Sequence, residues 1–142
     1  MTAFSNSPAS GFQEIDHTAD WAYQVWGKSL AELFTHAAQG LYALVGVELA
    51  TEPRVVRTIH LTGVDSESLL VAWLNELIHL HESENLGFDQ IEILRLDGAA
   101  LQAEVRGAPT QQWLKDIKAA TYHNLVIHST EKGFEATLVL DV

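Results

Sequence analysis

Trp21-Ala22-Tyr23-Gln24-Val25-Trp26-Gly27-Lys28-Ser29-Leu30-Ala31-Glu32-Leu33-Phe34 changes its hydrophobic period part-way along. Trp21, Tyr23 and Val25 alternate with Ala22, Gln24 and Trp26, and the aromatic and β-branched content favours a pleated surface, so the first half predicts a strand. After Gly27 the step changes. Ser29 and Glu32 form the S-x-x-E pattern in which hydroxyl and carboxylate each satisfy a backbone N–H left unpaired at a helix start. Leu30, Leu33, Phe34, Ala37, Leu41 and Leu44 then recur at three and four residues, and Gly46 is the expected left-handed stop. A strand running straight into an amphipathic helix sets the class: apolar helix stripe and strand face must be buried against each other.

Further elements fit the same plan. Arg54 to Leu61 predicts a half-buried strand, with Val55, Arg57, Ile59 and Leu61 on one face. Past Gly63, Asp65 or Ser66 can cap a second helix whose apolar stripe runs through Leu70, Trp73, Leu74, Leu77, Ile78 and His81. Its end carries Glu82 and Glu84, where the helix dipole disfavours negative charge. Ile91 to Leu96 and Leu101 to Val105 flank Asp97-Gly98 and predict a hairpin, and Gly107-Ala108-Pro109 is expected to break the pattern. Trp113 to Thr121 fits helix or extended chain equally, because its run is short. Leu125 to His128, a Lys132-Gly133 turn and Phe134 to Leu140 predict a terminal hairpin. The expectation is an α+β single domain, two helices packed on a largely antiparallel β-sheet.

Composition narrows the function. A chain of 142 residues suits one domain. Hydrophobic residues are 47% against 19% charged, which excludes general disorder, although Met1 to Gly11 (residues 1–11) is expected to be a flexible N-terminal tail. It lacks a basic start and long apolar run, and no stretch approaches the ~18 apolar residues of a membrane span, so a cytoplasmic location without membrane contact is expected. With no cysteine, disulfides and thiolate metal sites are excluded. The formal charge of −11 repels a phosphate backbone, so no direct, extended nucleic-acid binding is expected; a cation or a basic protein is the natural complement.

Oxygen donors concentrate in Glu14-Ile15-Asp16-His17-Thr18-Ala19-Asp20, just before the first strong strand. Carboxylates there suit either a hard divalent cation or a turn and cap. A second acidic residue, Asp141, closes the last apolar strand pattern. Lys118-Ala119-Ala120-Thr121-Tyr122-His123-Asn124 reads as a polar strand edge, or as a lysine and histidine placed to tune charge or grip phosphate. His79 and His81 point about 200° apart on a helix and do not share an ion. No zinc-protease H-E-x-x-H, phosphate-binding Gly-Lys-Ser/Thr or G-x-S-x-G pattern occurs.

Asp16-His17-Thr18-Ala19-Asp20, Gly27-Lys28-Ser29-Leu30-Ala31-Glu32-Leu33-Phe34 with Ala37-Ala38, Trp73-Leu74-Asn75-Glu76-Leu77, Lys118-Ala119-Ala120-Thr121-Tyr122-His123 and Leu140-Asp141-Val142 together resemble the archease family. The likeness runs from about Glu14 to the C-terminus, making residues 12–142 an archease-like domain. It implies a non-enzymatic, chaperone-like cofactor of the RtcB-type RNA ligase, the GTP- and metal-dependent enzyme of tRNA splicing and RNA repair. Such proteins promote the ligase's guanylylation and multiple turnover. The family's metal site would fall on Asp20, Asp141 and the main-chain oxygen of Val142, a set suited to Ca²⁺ or Mg²⁺. Lys118, Asp16, His17 and His123 are the candidates for activating the partner. The chain departs from the pattern at Ala108, where relatives often carry an acid, and in the short connection before Lys118; this puts any extra ligand or ligase contact from that loop in doubt. Two other classes stand beside this one. In a metal-dependent hydrolase, Asp20 and Asp141 would hold an ion that activates water while His17 or His123 moves protons; a general chaperone or adaptor would act through apolar surface.

Overall fold

The computed structural model describes residues 11–15 and 21–142. Residues 1–10 of the expected tail, and the candidate residues Asp16, His17 and Asp20, lie outside the described residues. In chain order the elements are β1 (Gly11–Ile15), β2 (Trp21–Gly27), α1 (Leu30–Val45), β3 (Glu48–Leu49), β4 (Val55–Thr62), α2 (Ser66–Glu84), β5 (Leu86–Leu96), β6 (Ala100–Gln112), β7 (Ala119–Thr121), β8 (His128–Thr130) and β9 (Gly133–Asp141). The expected α+β class is observed, and the strands divide between two sheets. One runs β1-β2-β9-β7, with β8 also on β9; the other is built on β6, which pairs β3, β4 and β5. Every described pairing is antiparallel.

Both helices touch each other and both sheets. This explains why their burial is wider than one stripe. On α1, Leu33, Phe34, Ala37, Ala38, Leu41 and Val45 are fully buried. On α2, Trp73 is fully buried and its indole N–H donates to the Phe34 carbonyl at 2.9 Å, tying the helices together. Tyr23 of β2 is likewise sealed, its hydroxyl donating to the Ala37 carbonyl at 2.8 Å. Each such side chain contributes roughly 1.5–3 kcal/mol by leaving water, and the hydrogen bond removes the penalty for its polar atom.

Local chemistry sets the helix ends. Ser29 Oγ accepts the Glu32 amide at 3.1 Å, the cap read from sequence, and the Glu32 carboxylate accepts the amide of Lys28, the residue before the cap, at 3.1 Å. Gly46 ends α1 at φ 66°. Asp65, not Ser66, caps α2; its carboxylate accepts the Ser68 amide at 2.8 Å. Asn85 closes α2 at φ 57°. The awkward Glu84 is paired there with Arg57 of β4 at 2.6 Å, and that guanidinium holds its carboxyl below the usual range.

Three stretches correct the sequence reading. Gly107-Ala108-Pro109 does not break the chain: β6 runs through it to Gln112. A Cβ on Gly107 would lie 1.8 Å from the Gly87 oxygen, so glycine is what lets β5 approach. Pro109 keeps its carbonyl in use, accepting from the Ala50 amide at 2.8 Å beside the register shift in β3. Residues 113–118 are neither helix nor strand; only Ala119–Thr121 extends as β7. The first arm of the terminal hairpin is confined to His128–Thr130, because Leu125 to Ile127 turn aside to α2, where Glu67 accepts the Ile127 amide at 3.0 Å.

Candidate functional site at the end of the last strand

β9 lies between β2 and β7, and its C-terminal end is where distant motif segments converge. Trp21 opens β2 opposite Leu140. On the other side Ala119 faces Asp141 and Ala120 faces Leu140. The Lys118 amide donates to the Asp141 carbonyl at 2.8 Å, adding one rung beyond β7. The lysine motif and the terminal aspartate are thus joined by backbone. Asp141, Val142 and Lys118 are all exposed, Val142 at 45%. Among the described residues, neither Asp141 nor Lys118 enters an ion pair.

β7 has only three residues and cannot hold itself in place. Its inner edge is completed by Asn75 of α2, whose amide oxygen accepts the Ala120 N–H at 2.7 Å and whose amide N–H donates to the Ala120 carbonyl at 3.3 Å. One side chain therefore does what a neighbouring strand would do. Thr121 Oγ1 donates to the Val139 carbonyl at 3.1 Å and accepts the His123 amide at 3.2 Å, turning the chain away after β7. His123 is exposed on that turn, within 3.4 Å of the Asn124 amide nitrogen.

The preceding strap, residues 113–118, is fixed by a different partner at almost every step. Trp113 stacks on His81 of α2, centroids 3.7 Å apart at 7°, and meets Tyr42 of α1 edge-on at 6.1 Å. The Leu114 amide donates to the Val45 carbonyl at 2.7 Å. Lys115 places its ammonium 3.5 Å above the centre of the Trp21 ring. Ile117 enters the core. Burial lowers the His81 pKa, with the charges of Glu82 and Asp116 pulling it back.

All four arginines are spent elsewhere: Arg54 on Asp89, Arg57 on Glu84, Arg95 on Asp97 and Arg106 on Glu104, at 2.6–3.0 Å. These exposed pairs add little stability each. Their consequence here is placement, since no guanidinium neutralises the end of β9.

Asp141 and Val142 supply hard oxygen donors of the kind Ca²⁺ and Mg²⁺ take, at an accessible strand end. By themselves they would make only part of a coordination shell. Among the described residues no three His, Asp or Glu side chains cluster as a metal site, and the further carboxylate the resemblance implies, Asp20, is outside them. Of the residues singled out from sequence, the structure brings Lys118 and Asp141 together and sets His123 beyond β7. Asn75 entered the sequence reading only within the Trp73–Leu77 segment of the resemblance, with no role given to it, and Lys115 did not enter it. An amide between Leu74 and Leu77 on a buried helix face was the available signal for Asn75; nothing in the sequence marked Lys115.

These features define a small α+β domain, two helices packed against two antiparallel sheets, with a polar edge at the end of β9 that carries Asp141. The archease protein family model matches residues 12–142, and the chain belongs to that family. It is 30% identical to the archease of Methanosarcina barkeri over 96% of this chain and 99% of that one. Against the archease of Archaeoglobus fulgidus the identity is 34% over 92% and 98%. Among solved structures, Methanobacterium thermoautotrophicum protein 1598 superposes with a TM-score of 0.67 at 26% identity, covering 93% of this chain and 99% of that one. A Thermotoga maritima archease, described as a possible chaperone, gives 0.69 at 25% identity, over 99% and 100%.

Proposed function

We propose that this chain is an accessory protein that activates an RtcB-type RNA ligase through the acidic end of β9. In this reading Asp20, Asp141 and the Val142 main-chain oxygen bind a divalent cation, Ca²⁺ or Mg²⁺, and the bound ion supplies positive charge at the contact with the ligase. Lys118 is the basic group offered to the partner, and Asp16, His17 and His123 are further candidates for activating it. The observation that carries the reading is the convergence at one strand end: Trp21, which follows Asp20 in sequence, is the register partner of Leu140, while Lys118 bonds to Asp141. Residues 97 apart in number, Lys118 and Trp21, thus flank the same two-residue terminus.

Family membership and the possible-chaperone description of the Thermotoga relative support action on a partner protein. A net charge of −11 favours a basic or metal-bearing partner surface over RNA itself. No described helix is long and apolar enough to cross a membrane. Activation requires that binding favour one ligase state over another. The test is the rate of ligase guanylylation from GTP with and without this protein. Wild type should accelerate it, and Asp141→Asn should remove the acceleration while leaving thermal unfolding unchanged. Undiminished stimulation by Asp141→Asn rules out the role given to the site.

A further inference from the structure

His81 is held from two sides. One face of its imidazole lies on Trp113 of the strap, centroids 3.7 Å apart at 7°. Its edge meets a hydrogen-bonded relay near the end of β6. The Asn85 amide N–H donates to the Thr110 carbonyl at 3.2 Å, which turns the Asn85 amide oxygen toward the Thr110 hydroxyl, and that hydroxyl donates to it. A hydroxyl has one proton, so toward His81 Nδ1, 3.4 Å away, the Thr110 oxygen can only accept. The proton of the neutral ring is therefore on Nδ1, and Nε2 is the atom that takes a second proton in acid. The carboxylates that bear on the ring are Glu82 from α2 and Asp116 from the strap; they favour the charged form, and burial, which opposes it, outweighs them. Thr110 of β6 brings no charge, and α1 enters only through Tyr42, edge-on to Trp113 at 6.1 Å.

We propose that His81 and Trp113 form a pH-sensitive clasp on the strap: the neutral imidazole keeps Trp113 stacked on α2, and protonation at Nε2 frees it. The sign follows from linkage. Trp113 covers one face of the ring, so the proton binds less readily with the clasp closed than with it open. Acid then favours the open form, tenfold for each pH unit that separates the two midpoints. Attraction between an imidazolium and the indole face would act the other way, raising the midpoint and tightening the stack in acid. The nearest reporter on the strap is the Leu114 amide, which donates to the Val45 carbonyl. The clasp concerns the strap alone and goes beyond the ligase reading.

The experiment uses the full chain and follows ¹⁵N resonances and amide protection factors between about pH 5 and pH 8, the range in which histidine titrates. Wild type is compared with Trp113→Ala, which uncovers the imidazole, and with His81→Phe, which keeps a ring that can stack and cannot titrate. The expected result is an Nδ1–H tautomer in neutral wild type and a His81 midpoint lower than in Trp113→Ala. Leu114 protection should fall in acid with the same midpoint as His81, by the factor that the two midpoints imply, while that of Val25 in β2 does not. In His81→Phe it should stay level. A midpoint in wild type as high as in Trp113→Ala or higher, an Nε2–H tautomer, or Leu114 protection that ignores the His81 titration overturns the clasp. Should Trp113→Ala fail to fold, the tautomer and the Leu114 comparison of wild type with His81→Phe still decide it.

Discussion

Asn75→Ala is the sharpest test of how the site is held. The Asn75 amide satisfies both backbone polar groups of Ala120, a residue only 4% exposed in a three-residue strand. Truncation leaves a buried N–H and a buried carbonyl without partners. Each costs about 1–3 kcal/mol when orphaned, and partial access of water along β7 brings the sum to about 2–4 kcal/mol. At about 4 °C per kcal/mol for a domain of this size, melting should fall by roughly 8–16 °C. The loss should be local first. The Ala120 amide should exchange far faster than amides of β2, and ligase activation should drop with it, because Lys118 reaches Asp141 through the rung next to β7. Asn75→Asp separates the two bonds: it keeps the acceptor for the Ala120 N–H but sets a carboxylate against the Ala120 carbonyl, so it should be more damaging at neutral pH than in acid. The measurements are urea unfolding and residue-resolved exchange. A loss below about 0.5 kcal/mol with Ala120 still protected would mean that β7 is held by its pairing with β9 and not by α2.

Two further outcomes follow from the same packing. Burial against Trp113 holds the folded-state pKa of His81 below its ordinary value near 6.5. The unfolded chain therefore binds the proton more readily, and stability should fall as pH drops below about 6.5 toward the folded-state pKa. His81→Gln should flatten that part of the profile in urea titrations at pH 7.5 and 5.5, and an unchanged slope would refute the assignment. Gly107→Ala should destabilise by at least about 3 kcal/mol or prevent soluble expression, because its methyl would meet the Gly87 and Phe88 backbone, which cannot rotate away. Gly98→Ala, with open space around it, is the matched control and should melt like wild type.

Much of the secondary structure was legible because it is decided locally. The Ser29–Glu32 cap, the Gly46 stop and the hydrophobic steps of α1 and α2 involve residues within a turn or two of each other, and they appear as read. The Asp97 turn is equally local: Asp97 accepts the Ala99 and Ala100 amides at 2.9 Å. Glycine and proline were read wrongly at 107–109 because their meaning depends on the neighbour. The same Gly107 that ends a pattern in isolation admits a close strand once β5 lies beside it. Residues 113–118 fitted helix or extended chain equally because the run is short, and what places them is contact with different elements: Trp113 with α2, the Leu114 amide with the end of α1, Lys115 with β2 and the Lys118 amide with β9.

For the candidate site, the sequence by itself determined the groups on offer: carboxylates near both of its ends, a lysine motif, no thiolate, and a charge that repels nucleic acid. Only the tertiary structure decided their arrangement. The register of β9 between β2 and β7 brings Trp21, Lys118 and Asp141 to one strand end, and Asn75 and Lys115 enter through contacts 45 and 94 positions apart in the numbering. Pairing at that range is fixed by which faces must be buried together, a property of the whole core that no single window of sequence contains.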